Sequence, residues 1–498
     1  MRRELLVNAT PAETRVALCE DGRAVEVFHE RRGDEAIVGN VYLGRVHRVL
    51  PGMQAAFVAI GLERDAFLYV EDALPHPVDF ETGEDEEGGA AAAQVPAADR
   101  PRIDDLVKEG QQLVVQVSKD AIAGKGPRVT ANVSLPGRTL VHLPASREIG
   151  ISRRITDEAE RERLRRVLER FGDGRGFIAR TAAAGASEGE LAADRDYLKA
   201  LAAKIARMAE GGSAPALLHR ELELPLRVFR DLVTADFESI RVDEESAAAR
   251  LSDLARQVAP ALDPRIEVYR DGEPIFDRFG VEAEIEGALK SRVPLPSGGS
   301  CVINQTEALV AIDVNTGRFT GKEDLEETVF ATNLEAIPEV ARQIRLRDLG
   351  GLLVVDFIDM EDPEHRREVF ERFERELARD RARTRVLQLS DFGLIEITRQ
   401  RSRNNLERIL TRPCPACSGT GRVKTDLTAA LDLRRALLRP PLLYGAGQVV
   451  RVRVPDSLAR FLAEEGRLLD ELQAGLDVRI ELEPDGTLAP GRFEVLPS

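Results

Sequence analysis

Residues 308–317 read ALVAIDVNTG and residues 347–360 read RDLGGLLVVDFIDM. The apolar runs Ala308–Ile312 and Leu352–Val355 are each followed at once by an aspartate, Asp313 and Asp356. Runs of this length, bounded by Gly and polar residues, predict buried strands. The segment Leu325–Asp348 between them is long enough for a crossover helix, the connection that parallel strands need. Both aspartates then leave their strands at one edge of the sheet, where open α/β sheets place ligands. Two carboxylates that meet there repel each other unless a cation lies between them. Hard oxygen donors of this kind suit Mg²⁺, which keeps waters and takes one or two carboxylates plus substrate phosphate. The chemistry this predicts is metal-assisted attack on a phosphodiester. The plainer alternative is that each Asp only ends its strand, as loop-start Asp commonly does. Asn315 shares the face of Asp313 if the strand continues, with an Asx turn as the alternative.

A chain of 498 residues, 43% of them hydrophobic, is long enough for several packed domains. MRRELLVNAT at the start lacks the apolar run of a signal peptide. No stretch reaches the roughly 18 apolar residues that span a membrane. Four cysteines, only two of them close together, predict a reducing cytoplasm over a disulfide scaffold.

Outward from the centre, residues 1–35 alternate apolar and polar and predict two or three strands with a turn at Asp21-Gly22. They are too few to fold alone, and RIEVYRDGEPIFDRFG (265–280) is the best candidate to complete their sheet. Residues 36–131 hold short runs separated by Gly and Pro turns, which suits a small barrel. The stretch 79–98 interrupts it with the acidic, Ala/Gly-rich composition of a solvated loop. Asp157–Phe171 and Ser187–Met208 predict amphipathic helices. Between them GFIARTAAAG (176–185) sets Arg180 and Thr181 after a short apolar strand. An Arg fork beside a hydroxyl can hold a terminal phosphate, whereas a Thr there can equally cap a helix. TRPCPACSGTGRVK (411–424) contains one C-x₂-C, Cys414 and Cys417. A structural zinc wants four ligands, so either a neighbouring copy supplies the other two or the cysteines bind nothing. Helices at Asp426–Leu438 and Ser457–Glu471, with short strands, predict a small C-terminal α+β domain.

The string AIDVNTG, continued by LEETVFATNLEAIPEVARQIRLRDLGGLLVVDFIDM (325–360), closely resembles the catalytic core of the RNase E/RNase G endoribonucleases. The likeness runs from VNATPAETRVAL (7–18) to CPACSGTG, and it is nearer to the RNase G members, whose chain stops soon after the core. The resemblance implies an α/β multidomain fold. An RNase H-like subdomain (1–35 plus 225–290) carries an inserted S1-type OB barrel (36–131) and a 5′-sensor region (132–224). A DNase I-like catalytic subdomain (291–410), a zinc link (411–424) and the small C-terminal domain (425–498) follow. It implies a cytoplasmic Mg²⁺-dependent endoribonuclease that cleaves single-stranded RNA to 5′-phosphate and 3′-hydroxyl ends, acting on rRNA precursors and mRNA. Asp313 and Asp356 would hold Mg²⁺ with support from Asn315. Phe57, Phe67 and Lys125 would contact RNA, although Phe is usually a core residue. Arg180 and Thr181 would read a 5′-monophosphate. Cys414 and Cys417 would share one Zn²⁺ with a second protomer in dimers that pair into tetramers. Asp391 departs from the basic or neutral residue many relatives carry, so no phosphate contact is assigned to it. The rival reading is a non-catalytic RNA-binding protein. A net charge of −16 fits RNA poorly as a total, but Glu71–Asp99 holds nine acidic residues and no Lys or Arg. Glu396–Lys424 holds seven basic residues against two acidic ones. Local patches govern phosphate binding.

Overall fold

The computed structural model describes all residues except 34–36, 75–100, 122–125, 172–173, 175, 318–324, 388–393, 401–404, 439–446 and 497–498. Lys125, Asp391 and the acidic stretch 79–98 therefore lie outside the described residues. The chain divides into two compact units, Met1–Ile409 and Leu410–Ser498.

In the first unit the two aspartate runs are neighbours in a sheet of spatial order Arg292–Pro294, Ser300–Gln305, Leu309–Asn315, Gly351–Asp356, Leu394–Arg399, Thr384–Val386. Leu309–Asn315 and Gly351–Asp356 run parallel, joined by the crossover helix Leu325–Leu346. The strand does not stop before Asp313. Alternation carries it on, because Val314 is buried beside Val310 and Ile312. The buried face of the sheet packs on Ile337, Val340 and Ile344 of the crossover helix and on Val369 and Phe373 of helix Pro363–Leu377. Among the described residues helices cover this one side, and the opposite face carries Asp313 and Asp356.

A second sheet has the order Ile266–Val268, Phe237–Val242, Arg3–Ala9, Glu13–Glu20, Arg23–Arg31. Its hairpin turns at Asp21-Gly22 with φ of 49° and 79°, the left-handed pair that a tight two-residue turn demands. Segment 265–280 supplies only the outer strand. The direct partner of Arg3–Ala9 is Phe237–Val242, whose alternation is broken by Glu238 and Arg241. Ion pairs join this sheet to the one that carries Asp313 and Asp356. Arg345 of the crossover helix reaches Glu20 at 3.1 Å and Glu26 at 3.3 Å, and Arg381 reaches Glu26 at 2.7 Å.

Five strands close a barrel: Val41–Leu50, Ala55–Ala59, Ala66–Tyr69, Arg128–Thr130 and Gln112–Lys119, the last pairing back on the first. Closure removes exposed strand edges, as in OB folds. The short helices Val70–Ala73 and Ile103–Leu106 pack together beside it. Gln54 holds both: its carbonyl accepts from Val70 N at 2.9 Å and its side-chain oxygen from Ile103 N at 3.1 Å. A further sheet, Ile149–Ile151, Gly176–Ala179, Leu140–Leu143, Leu135–Pro136, is packed by helices Glu158–Arg170 and Glu188–Gly211. Asp157 caps the first helix, and Ser187 with Glu190 forms a capping box on the second.

The second unit has parallel strands Gln448–Val454 and Val478–Pro484 with Glu494–Val495 antiparallel on the other edge. The single helix expected over Ser457–Glu471 is two, Asp456–Glu464 and Gly466–Leu476, because Glu465 leaves helical geometry at ψ 48°.

Candidate active site and RNA-binding surfaces

Strand register places Asp313 directly opposite Asp356, with both side chains on the face away from these helices. Asn315 lies on the same face, and its Nδ2 donates to Asp313 Oδ2 at 2.7 Å. That bond fixes one carboxylate oxygen. Gly317 follows at φ +63°. A Cβ there would stand 2.5 Å from the Gly298 carbonyl oxygen, so only glycine fits. Partial burial, with the nearby charges of Asp313 and Asp359, raises the Asp356 carboxyl above its ordinary value. Two carboxylates held in repulsion, one of them oriented by an amide, are a donor set suited to a hard divalent cation. Among the described residues no three His, Cys, Asp or Glu side chains converge on one point.

The crossover helix also pins the loop after Asp356. Buried Asn333 donates to the Ile358 carbonyl at 2.8 Å and accepts from Ile358 N at 3.0 Å. Glu326 accepts from Glu361 N and Asp362 N and pairs with His365, which stacks on Phe330 at 4.0 Å. Sequence reasoning missed this brace. The available signal was Asn333 itself, a poor helix former in mid-helix that needs a partner to belong there.

Arg180 follows strand Gly176–Ala179, and Thr181 opens the short turn Thr181–Ala183. Arg180 donates to the Gly137 carbonyl and, at 2.8 Å, to Asp231. Thr181 Oγ1 lies 3.0 Å from Ser152 Oγ. Burial opposes the charge on Asp231, but Arg230 and Arg180 hold its pKa at about 2. Buried Asp194 accepts from Thr139 N, Thr139 Oγ1 and Leu140 N at 2.7–2.9 Å, and so fixes the strand from which Arg180 N takes its carbonyl partner. Neither Asp231 nor Asp194 carries a signature in the sequence. Both are remote carboxylates that the fold brings to this strand.

On the barrel, Phe57 faces Phe67 across two strands, with ring centroids 5.5 Å apart in an edge-to-face pair. Register extends the row to Arg48, Phe57, Phe67, Arg128 and Lys119. Their neighbours Val58, Leu68 and Val129 fill the barrel core instead. Two aromatic rings flanked by cations form the pattern single-strand binders use. Arg48, Arg128 and Lys119 were not singled out in the sequence, because the pairing that aligns them is long-range.

In the second unit Cys414 is exposed and Cys417 half-buried. The N–H groups of Gly421 and Gly419 lower the pKa of Cys417, and Gly421 N donates to its sulfur at 3.3 Å. Ser418 at φ 52° and Gly419 at φ 86° shape that tight turn. Two thiols with backbone donors aimed at one of them suit half of a tetrahedral zinc site.

Two family models match the chain: "Ribonuclease E/G family" over residues 134–402 and "RNase E/G, Thioredoxin-like domain" over residues 413–497. The chain belongs to the ribonuclease E/G family. Ribonuclease G of Escherichia coli K12 is 42% identical over 487 residues, covering 97% of this chain and 98% of that protein. Ribonuclease G of Haemophilus influenzae is 40% identical over 495 residues, covering 99% of each. Ribonuclease E of E. coli K12 is 37% identical over 505 residues, which is 99% of this chain but 46% of that larger protein.

Proposed function

We propose that this chain cuts single-stranded RNA internally by hydrolysis at the Asp313/Asp356 edge. The chain is an endoribonuclease, a hydrolase that takes part in RNA processing. The observation that carries the site assignment is the parallel register that sets Asp313 against Asp356, with Asn315 orienting the first. Mg²⁺ bound to these carboxylates would polarise the scissile phosphate and lower the pKa of a bound water. The chain's own groups do the rest. Asp313 and Asp356 supply fixed negative charge, Asn315 holds an Asp313 oxygen in place, and Asn333 and Glu326 keep the loop beside Asp356 from shifting. The barrel row would grip the strand through Phe57, Phe67 and the flanking cations. The products would be 5′-phosphate and 3′-hydroxyl ends, on substrates that include rRNA precursors and mRNA. A purely RNA-binding role would leave the carboxylate pair without a purpose. The test is cleavage of a short single-stranded RNA in Mg²⁺, which should vanish on EDTA addition and be absent on the DNA version. Full cleavage in EDTA would overturn the metal assignment.

Arg180 and Thr181 support a preference for 5′-monophosphorylated RNA, since a guanidinium fork and a hydroxyl suit a compact dianion. Asp231 anchors one side of the guanidinium and so fixes its aim. Arg180→Ala should abolish the rate advantage of 5′-monophosphorylated over 5′-hydroxyl RNA, a loss of about 1.5–3 kcal/mol for a charge-assisted contact. It should leave the 5′-hydroxyl rate nearly unchanged. Equal slowing of both substrates would assign Arg180 to the fold or the cleavage edge.

Cys414 and Cys417 supply two of the four ligands of a structural Zn²⁺, and a second copy of the chain supplies the others. Metal analysis should return one zinc per two chains. Cys414→Ser with Cys417→Ser should sediment as monomer and lose most activity. One zinc per chain, or intact dimers in the double variant, would exclude the shared site. Among the described residues no helix is long and apolar enough to cross a membrane.

A further inference from the structure

We infer that the barrel's stacking surface extends past Phe57 and Phe67 to a third ring, Tyr69, which takes one more base of a single strand. The inference rests on the barrel being the RNA-gripping surface. Tyr69 lies two residues beyond Phe67 on the same strand, and so on the same outward face. Ala66 and Leu68 alternate with them and point into the core. Two residues of strand set the rings about 6–7 Å apart along the chain, and Phe67 and Tyr69 meet edge to face at 4.5 Å. The three aromatics therefore form one continuous ladder.

Tyr69 is 40% exposed, so part of its ring is open to an incoming base. It is also held still. The Arg128 guanidinium lies 4.9 Å over its ring. Arg128 is itself fixed by buried Asp72, which its Nε reaches at 2.8 Å. A ring already locked on two sides loses little freedom when a base arrives, which is how preorganised surfaces gain affinity. Every base has a π-face, so such a contact adds footprint without sequence preference.

The chain has no Trp and five Tyr, so the difference in tyrosine fluorescence between wild type and Tyr69→Phe isolates the contribution of this ring. The experiment titrates the whole protein with 2′-O-methyl oligouridylates of roughly 4–16 nucleotides, the range that OB folds cover. Tyr69→Phe should keep affinity within about threefold and lose most of the fluorescence quench that the wild type shows. Tyr69→Leu should weaken binding at least about fivefold. The loss should appear with the longer oligonucleotides and vanish with the shortest, and thermal unfolding should stay at the wild-type temperature. A quench unchanged in Tyr69→Phe, or a loss in Tyr69→Leu that is equal at all lengths and tracks a lower melting temperature, would overturn the proposal. Phe57→Ala and Phe67→Ala separate the two readings. If both bind like wild type, the barrel reading itself falls. If both weaken binding while the Tyr69 variants do not, only the extension falls.

Discussion

Asp313→Asn or Asp356→Asn should lower cleavage of single-stranded RNA by at least about 10³-fold, because charge positioned for phosphoryl transfer is worth several kcal/mol. The fold should not suffer. Asn keeps the volume and the strand alternation at both positions, and neither side chain supports the core, which lies on the opposite face. For Asp356 the linkage has a definite sign. Its pKa is raised by partial burial and by Asp313 and Asp359. The folded state therefore binds the proton more tightly than the unfolded chain does, and ionisation above that pKa costs stability. Asp356→Asn removes that cost, so at neutral pH without divalent metal it should melt no lower than wild type. Below the carboxylate range the two should converge. Measured together, single-turnover cleavage and thermal melts should show activity lost and stability kept. Cleavage within tenfold of wild type would take the pair out of the chemistry, and a lower melt would make Asp356 structural.

The second large effect is expected at Arg399, which pairs with the end of strand Gly351–Asp356 away from Asp356. It sits on strand Leu394–Arg399 opposite Gly351 and is almost fully buried. Its Nε donates to Asp380 at 2.6 Å, and another guanidinium nitrogen donates to Asp348 at 2.7 Å and to the Leu349 carbonyl at 2.8 Å. Asp348 ends the segment after the crossover helix, and Asp380 follows helix Pro363–Leu377. One side chain therefore ties the ends of both helices that cover the sheet of Asp313 and Asp356. Arg399→Ala strips two buried carboxylates of that guanidinium, a change that costs about 3–5 kcal/mol when a buried pair is broken from one side. Arg399→Lys should recover only part, since an ammonium cannot present a planar fork to two acids. Denaturant titration should show the midpoint fall with the slope unchanged. A loss under about 1 kcal/mol would mean that the pairs are dispensable. Activity of the surviving folded fraction should stay near wild type, which separates this residue from the aspartates.

How much of this could be read in advance depended on the range of the interaction involved. Leu309–Asn315 and Gly351–Asp356 were legible because alternation and apolar runs are local. Their parallel pairing was legible because a helix-length segment joins them. Asp21-Gly22 declared its turn for the same reason. Phe237–Val242 did not declare itself as the centre of its sheet, because its partner is more than two hundred residues away. Glu20 and Glu26 look like solvated strand residues until Arg345 and Arg381 arrive from a different subdomain. The same holds at the sites. Asp313 and Asp356 each close a short apolar run, and the cysteines stand three residues apart, so each of these signals is local. Asp231 behind Arg180, and Arg48 and Arg128 beside the Phe pair, exist as neighbours only after folding. The break at Glu465 was missed because helical periodicity runs through it.

Gln54 has a consequence for how this gene can change. It grips both short helices, Val70–Ala73 and Ile103–Leu106, with one side chain and one carbonyl, so the barrel is clamped on either side of whatever joins them. Closing a longer loop there costs only about 0.6 kcal/mol per doubling of its length. A change of length between these two helices should therefore cost the barrel little closure entropy. A small fluorescent domain grafted between the two helices should accordingly leave the barrel's melting temperature near that of the wild type, the Gln54 clamp holding either side of the insertion.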